Sequence, residues 1–352
     1  MILVQDDYEL LAAMLQVQDR QKAIYQPGRY WESYKRRITS ALYENKLSGF
    51  RSNSRIGKGY ADTLEIDPSY KMGDNWKGRI YQSLLKSHLA KRYLFRPFQD
   101  LITHHSNEAK VYRTLYEKEK LEEWFIKFRE RFVLPDTLIE EPGRVSILAG
   151  QKIGYSYLKA FLGIHNYAQK VDFTQSRVAF EIGGGFGAMC HTLLELFPNI
   201  RKFVYLDIPP VLYVGTQYLK SIYGNSVKDF LATSEKNKLK FSEDDSLEIF
   251  AIAPWQIEKL DAKVDLFWNS FSMQEMDIET VRNYCQHLSR LLNKELYNAC
   301  FLMYNTPSER TIPSHKITKL IEENSCLDLT QITQDLDLYS NPVRTYVLGQ
   351  NL

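Results

Sequence analysis

Seven consecutive residues in the middle of the chain, Glu181-Ile182-Gly183-Gly184-Gly185-Phe186-Gly187, join an acid to four glycines, between the apolar run Val178 to Ile182 and a helical stretch from Met189 to Phe197. A backbone without Cβ atoms reaches positive φ and lets a ligand approach a strand-to-helix turn closely. The free N–H groups of the first helical turn then face that ligand. Asp207 follows twenty residues after Gly187, at the end of the next apolar run, Lys202 to Leu206. A carboxylate in that place accepts hydrogen bonds from both hydroxyls of a ribose. Together the two signals imply a cofactor that contains adenosine. Gly183, Gly185 and Ala188 also satisfy the G-x-G-x-x-G/A spacing of dinucleotide sites, so spacing alone leaves both NAD(P) and S-adenosylmethionine open.

The elements that must position these residues fall into two parts. The expected boundary lies at Glu141-Pro142-Gly143, which divides a mostly helical region, 1–142, from a cofactor-binding region, 143–352. In the first part Leu10, Leu11, Met14 and Leu15 recur at helical spacing, and Val111 to Phe132 carries Glu and Lys four residues apart, as at Glu123 and Lys127. Residues 48–74 contain Gly49, Gly57, Gly59, Pro68 and Gly73 with little periodicity and read as a long loop or hairpin region; long loops commonly serve as lids. In the second part, short apolar runs alternate with helical stretches, the pattern of a parallel sheet with crossover helices. The runs are Val178 to Ile182, Lys202 to Leu206, Leu247 to Ile252, Val264 to Trp268 and Ala299 to Tyr304. Leu327 to Thr333 and Val343 to Leu348 predict a terminal antiparallel pair. The fold class is therefore α/β: a doubly wound, Rossmann-like sheet behind a helical N-terminal region.

Composition narrows the function classes. The chain has 352 residues, 44% hydrophobic and 25% charged, with 45 Lys and Arg against 43 Asp and Glu, so no global field draws it to nucleic acid or membrane. Basic charge is local: residues 21–100 carry 16 Lys and Arg against 7 Asp and Glu, interleaved with aromatics in Tyr30-Trp31-Glu32-Ser33-Tyr34-Lys35-Arg36-Arg37. That stretch suits a phosphorylated or sugar-bearing ligand, and equally a solvated helix face with its rings packed inward. Cys190, Cys285, Cys300 and Cys326 form no C-x-x-C pair and read as buried thiols. The N-terminus has acids where a signal peptide needs basic residues, and there is no apolar stretch of membrane-spanning length. The expectation is a cytoplasmic protein with no membrane span and no metal site, since no Asp/His cluster has ligand spacing.

Glu181, two residues before the first glycine, turns the loop into E-x-G-x-G-x-G, and the helix, strand, turn, strand order at the end of the chain fits the same reading. With Tyr205-Leu206-Asp207-Ile208-Pro209-Pro210, Ala253-Pro254-Trp255 and Val264-Asp265-Leu266-Phe267-Trp268-Asn269-Ser270-Phe271-Ser272-Met273-Gln274-Glu275-Met276, residues 140–310 resemble the bacterial sugar O-methyltransferases. This is a branch of the S-adenosylmethionine-dependent, Rossmann-like methyltransferases. The resemblance implies a seven-stranded sheet and transfer of methyl to a hydroxyl of a sugar, nucleotide-linked or on a surface glycan. It further implies that Glu181, Gly183, Gly185 and Gly187 line the methionine and ribose portion of the cofactor and that Asp207 binds the ribose. Ile208, Pro254 and Trp255 would border the adenine; for Trp255, packing against a helix is the equal alternative.

A sugar hydroxyl is a very weak acid, so a base or a strongly polar pocket should stand at the carboxyl end of the strands. Glu275 is the candidate base, and its alternative role is to cap the next helix or pair with Arg282. Asn269 is assigned to the cofactor, and Ser272, Gln274 and Asn305 to the acceptor. His104, His105 and His315 could approach the acceptor, whereas His191 reads as a packing residue. A nucleic-acid amino-methyltransferase needs an N/D-P-P-aromatic loop after the fourth strand, where this chain has Asn269-Ser270-Phe271-Ser272. An NAD(P) oxidoreductase and a nonenzymatic cofactor-binding scaffold remain the competing classes, and an oligomer is compatible with the sequence.

Overall fold

Strands form where β-branched and aromatic residues cluster between glycines and prolines, and the computed structural model, which describes residues 4–57, 120–143, 145–304, 311–333 and 344–350, bears out each expected run. The main sheet contains β3 (Val178–Ile182), β4 (Lys202–Leu206), β6 (Glu248–Ile252), β7 (Leu266–Ser270) and β8 (Asn298–Tyr304), all parallel, with β9 (Asp328–Ile332) and β10 (Arg344–Gln350) closing one edge. With β5 (Val227–Lys228) at the other edge, strand order is β5-β6-β4-β3-β7-β8-β10-β9, and β10 runs antiparallel to both of its neighbours. Among the described residues the sheet has eight strands where seven were expected. The addition is β5 (Val227–Lys228), a two-residue strand parallel to β6 at the other edge. A hairpin of β1 (Val145–Leu148) and β2 (Gln151–Gly154) stands apart from the sheet and was not foreseen.

Central strands are buried on both faces, so alternate residues enter different cores. Ala179, Phe203, Tyr205, Leu266 and Trp268 join the core on one face, and Phe180, Ile182, Val204, Leu206 and Phe267 join the other. The first core continues into the N-terminal region through Leu10, Leu11 and Met14 of the helix Tyr8–Gln18. Polar ties follow the same route: Asp7 N–H donates to the Tyr213 hydroxyl at 2.8 Å, and Gln217 Nε2 to the Gln5 carbonyl at 2.6 Å. On the opposite edge the Tyr167 hydroxyl, from the helix Tyr155–Tyr167, donates to the Phe301 carbonyl of β8 at 2.6 Å and pins that helix over the antiparallel insertion. Helical residues 8–18, 29–45 and 120–131 agree with the helical reading of the first part. Most of the expected loop at 48–74, as well as His104 and His105, lies outside the described residues.

One topological consequence matters most for function. The order reverses at β3, so the loops after β3 and β7 diverge there and open a crevice at the strands' carboxyl ends.

Candidate active site

The glycine loop leaves β3 at that crevice. Gly183, Gly185 and Gly187 all take positive φ, at 74°, 60° and 94°. Two of the loop's missing Cβ atoms make room for the protein itself: a Cβ on Gly183 would lie 2.2 Å from Ser272 Oγ, and one on Gly184 would lie 2.4 Å from the Tyr205 ring. Tyr205 then donates its hydroxyl to the Gly185 carbonyl at 2.5 Å, bracing the loop from below. At the loop's apex Gly185 N–H donates to Asp207 Oδ2 at 2.8 Å, and Ile208 N–H donates to Oδ1 at 2.7 Å. Each Asp207 oxygen keeps a free lone pair, which is what two ribose hydroxyls require.

Charge in the crevice is one-sided. Among the described residues Glu181, Asp207, Glu275 and Asp277 line it, against a single lysine, Lys159. Burial lifts the Glu181 carboxyl to about 8, with the neighbouring Asp207 charge acting in the same direction and the Cys190 backbone N–H opposing. Glu181 Oε2 is buried and takes no hydrogen bond. Burial also lifts Asp207 to about 7, against the pull of the Gly185 and Ile208 N–H groups, and Glu275 to about 8. A partnerless buried carboxylate oxygen beside a second carboxylate favours a ligand that brings positive charge and donors. The pocket so formed fits the amino-acid and ribose ends of S-adenosylmethionine.

After β7 the chain turns through Phe271, whose φ of 66° is left-handed, into a short helical turn, Ser272–Glu275. The expected residues part company here. Ser272 and Glu275 line the crevice, together with Ile208 and Pro254. Asn269 instead ties two strand ends together, donating from Nδ2 to the Ile182 carbonyl at 2.8 Å and to Ser272 Oγ at 2.6 Å. Gln274 is likewise engaged inside the protein, with Nε2 donating to the Tyr304 and Ile312 carbonyls and Oε1 accepting from Tyr304 N–H at 2.6 Å. Both amides are almost fully buried, so they shape the loop and do not reach a ligand. Trp255 packs edge-on against Phe230 at 5.8 Å between centroids and is absent from the crevice wall, as is Gly187, which makes the turn. Asn305 lies outside the described residues.

The remaining candidates resolve by burial. His191 is buried, with Nδ1 2.6 Å from the Tyr157 hydroxyl, and is a packing residue as expected. His315 is exposed on the helix Ser314–Asn324. Cys190, Cys285 and Cys300 are buried, but Cys326 is exposed, contrary to expectation, because it lies where the last helix gives way to β9. Arg282 pairs with Glu279, not with Glu275. Among the described residues no group of three or more His, Cys, Asp or Glu side chains could hold a metal, and no helix is long and apolar enough to cross a membrane.

Sequence reasoning missed the wall opposite the glycine loop. Ile24, Tyr25, Gln26, Pro27, Gly28 and Trp31, some 150 residues upstream of the loop, line the crevice from the N-terminal region. They are fastened to the far side: the Tyr25 hydroxyl donates to Glu258 Oε1 at 2.8 Å, and Thr280 Oγ1 donates to the Ile24 carbonyl at 3.2 Å. The aromatic run at residues 30–37 was the one available signal. Its rings do pack together, with Tyr30 stacked on Tyr34 at 5.4 Å, yet Trp31 faces the crevice.

No protein-family model matches the chain, and no curated protein does. Solved structures show only a distant likeness. The mitomycin 7-O-methyltransferase MmcR is 18% identical with a TM-score of 0.39, over 56% of this chain and 55% of that one. The pyocyanin biosynthetic protein PhzM is 14% identical with a TM-score of 0.39, over 56% of each chain. Human N-acetylserotonin methyltransferase, solved with its methyl donor, is 10% identical with a TM-score of 0.37, over 55% of this chain and 53% of that one. In each case the match spans about half of the solved chain.

Proposed function

We propose that this protein is an S-adenosylmethionine-dependent O-methyltransferase acting on a hydroxyl of a sugar, either nucleotide-linked or part of a surface glycan. The observation that carries the cofactor is the set of buried carboxyls in the crevice, Glu181 above all, whose Oε2 has no partner. A pyrophosphate at the glycine loop would face Glu181 as a like charge, whereas a cation relieves it. The insertion of β10 between β8 and β9 also belongs to the methyltransferase sheet and not to the dinucleotide one.

When bound, S-adenosylmethionine supplies a methyl group on a positively charged sulfur. The chain's residues do the rest. Glu181 accepts from the ammonium of the amino-acid end, Asp207 from the ribose hydroxyls, and Ile208 and Pro254 flank the adenine. Glu275, in the wall of the same crevice, accepts the proton of the acceptor hydroxyl. A carboxyl lifted toward neutrality is a stronger base than an ordinary one, which suits a weakly acidic hydroxyl. The sugar acceptor rests on the Asn269 to Met276 motif and on a wall that mixes rings (Tyr25, Trp31, Tyr284, Tyr304) with polar groups.

Calorimetric titration with S-adenosylhomocysteine, alongside NADH and NADPH, tests the cofactor. Binding of the first alone supports the proposal, and binding of a nicotinamide cofactor alone removes it. A screen of sugars and nucleotide sugars for acceptor-dependent release of S-adenosylhomocysteine then tests the activity, and a pure scaffold would release none.

A further inference from the structure

The indole N–H of Trp31, in the helix Arg29–Asn45, donates to Glu275 Oε2 at 2.8 Å across 244 positions of sequence. No other described residue donates to that carboxylate, and both side chains line the crevice, so Oε1 remains available to a ligand. Trp31 is held in turn by Tyr30, edge-on at 5.7 Å, and by Tyr34, at 5.5 Å. Its helix starts at Gly28, where an added Cβ would sit 3.4 Å from the Asp277 backbone nitrogen, two residues beyond Glu275. The N-terminal helix is thus wedged against the loop that carries Glu275.

We propose that Trp31 is a positioning residue for Glu275: by fixing Oε2 it presents Oε1 to the acceptor hydroxyl, whose proton passes to that oxygen while the electron pair of the broken O–H bond stays on the acceptor oxygen. This rests on the reading of Glu275 as base. An indole N–H is a donor only, so it favours the charged form of the carboxylate and cannot itself compete for the proton. The groups that face Glu275 divide clearly. Burial and the Asp207 charge favour the neutral form, and Trp31 opposes them. Tyr30 lies within electrostatic reach from the N-terminal helix, Tyr304 stands beside Tyr30, and Lys159, Asp277 and Tyr284 line the same crevice.

The link is tested first without any substrate. In the full ¹⁵N-labelled chain, the indole resonance that disappears in Trp31→Phe should move with pH in the wild type and stay fixed in Glu275→Gln. A Trp31 resonance that does not titrate in the wild type overturns the inference. The second test follows turnover with S-adenosylmethionine and whichever sugar acceptor the screen identifies. Trp31→Phe should displace the acid limb of the rate profile to higher pH, with about three- to tenfold lower turnover at pH 7 that recovers near pH 9, since one unit of displacement is tenfold on that limb. A loss of equal size at every pH marks a merely structural residue and overturns the inference. Failure of the wild type to bind S-adenosylhomocysteine would instead remove the methyltransferase reading, while the indole titration would still decide whether Trp31 and Glu275 are coupled.

Discussion

Gly185 N–H and Asp207 Oδ2 meet at 2.8 Å, so the glycine loop and the acid that ends β4 form one hydrogen-bonded unit before any ligand arrives. Asp207 therefore has a structural role beside its proposed ribose contact. Asp207→Ala is expected to lower the affinity for S-adenosylhomocysteine sharply and also to destabilise the protein by about 1–3 kcal/mol, because two N–H groups lose a charged acceptor. Asp207→Asn, which keeps one acceptor oxygen, should retain more of the stability. Calorimetry and thermal melts on both variants check this, and an Ala variant with wild-type affinity would remove the ribose assignment.

Proton linkage provides a second prediction. Burial lifts the carboxyls of Glu181 and Asp207 to about 8 and about 7, so at neutral pH they hold protons that an ordinary carboxyl would have lost. An arriving ammonium favours the ionised forms, and S-adenosylhomocysteine should bind at pH 7 with release of protons. Titrations in buffers of different ionisation enthalpy measure that release, and Glu181→Gln should reduce it.

The same shifts fix how stability depends on pH. For Glu181 and Glu275 the folded pKa of about 8 lies above the ordinary 4.5, so between these values the native state holds more protons than the unfolded chain. Stability of the free protein should then fall as pH rises through that window. Melting temperature measured across it should decline less steeply in Glu181→Gln and Glu275→Gln, which cannot ionise.

Glu275→Gln keeps the shape of the side chain and its acceptor for Trp31 but removes the carboxylate proposed as base. Turnover should fall by about a hundredfold or more, the usual contribution of a general base, with S-adenosylhomocysteine affinity nearly unchanged. Full activity in this variant would eliminate Glu275 as base.

Gly215, inside the helix Val211–Tyr223, tests the support beneath the loop. Replacing a helical glycine by alanine ordinarily stabilises by about 1 kcal/mol. Here the added Cβ would lie 2.0 Å from the Tyr205 hydroxyl and 2.9 Å from the Gly185 carbonyl. Overpacking of this kind costs about 1–3 kcal/mol, so Gly215→Ala should be net destabilising and should weaken cofactor binding by displacing Tyr205 against the loop. A melting temperature above that of the wild type would contradict this.

Local sequence determined much of this protein because local physics did. β3, β4 and the glycine turn were legible since a buried parallel strand is mostly apolar and a turn at positive φ favours glycine, and both conditions act within a few residues. The terminal antiparallel pair was readable for the same reason, whereas β5, with two residues, is too short to leave a pattern. The roles of individual polar residues were not local. Asn269 and Gln274 look like ligand-binding amides in a motif, and only the folded chain places backbone carbonyls where they become internal ties. Trp31 and Tyr25 reach the crevice because the N-terminal region packs on the sheet's carboxyl edge, a contact between segments more than 200 residues apart that no spacing encodes. The sequence alone thus carried the sheet, its loop and its acids. Tertiary packing decided which side chains face the crevice, because burial and hydrogen-bond partners depend on neighbours distant along the chain.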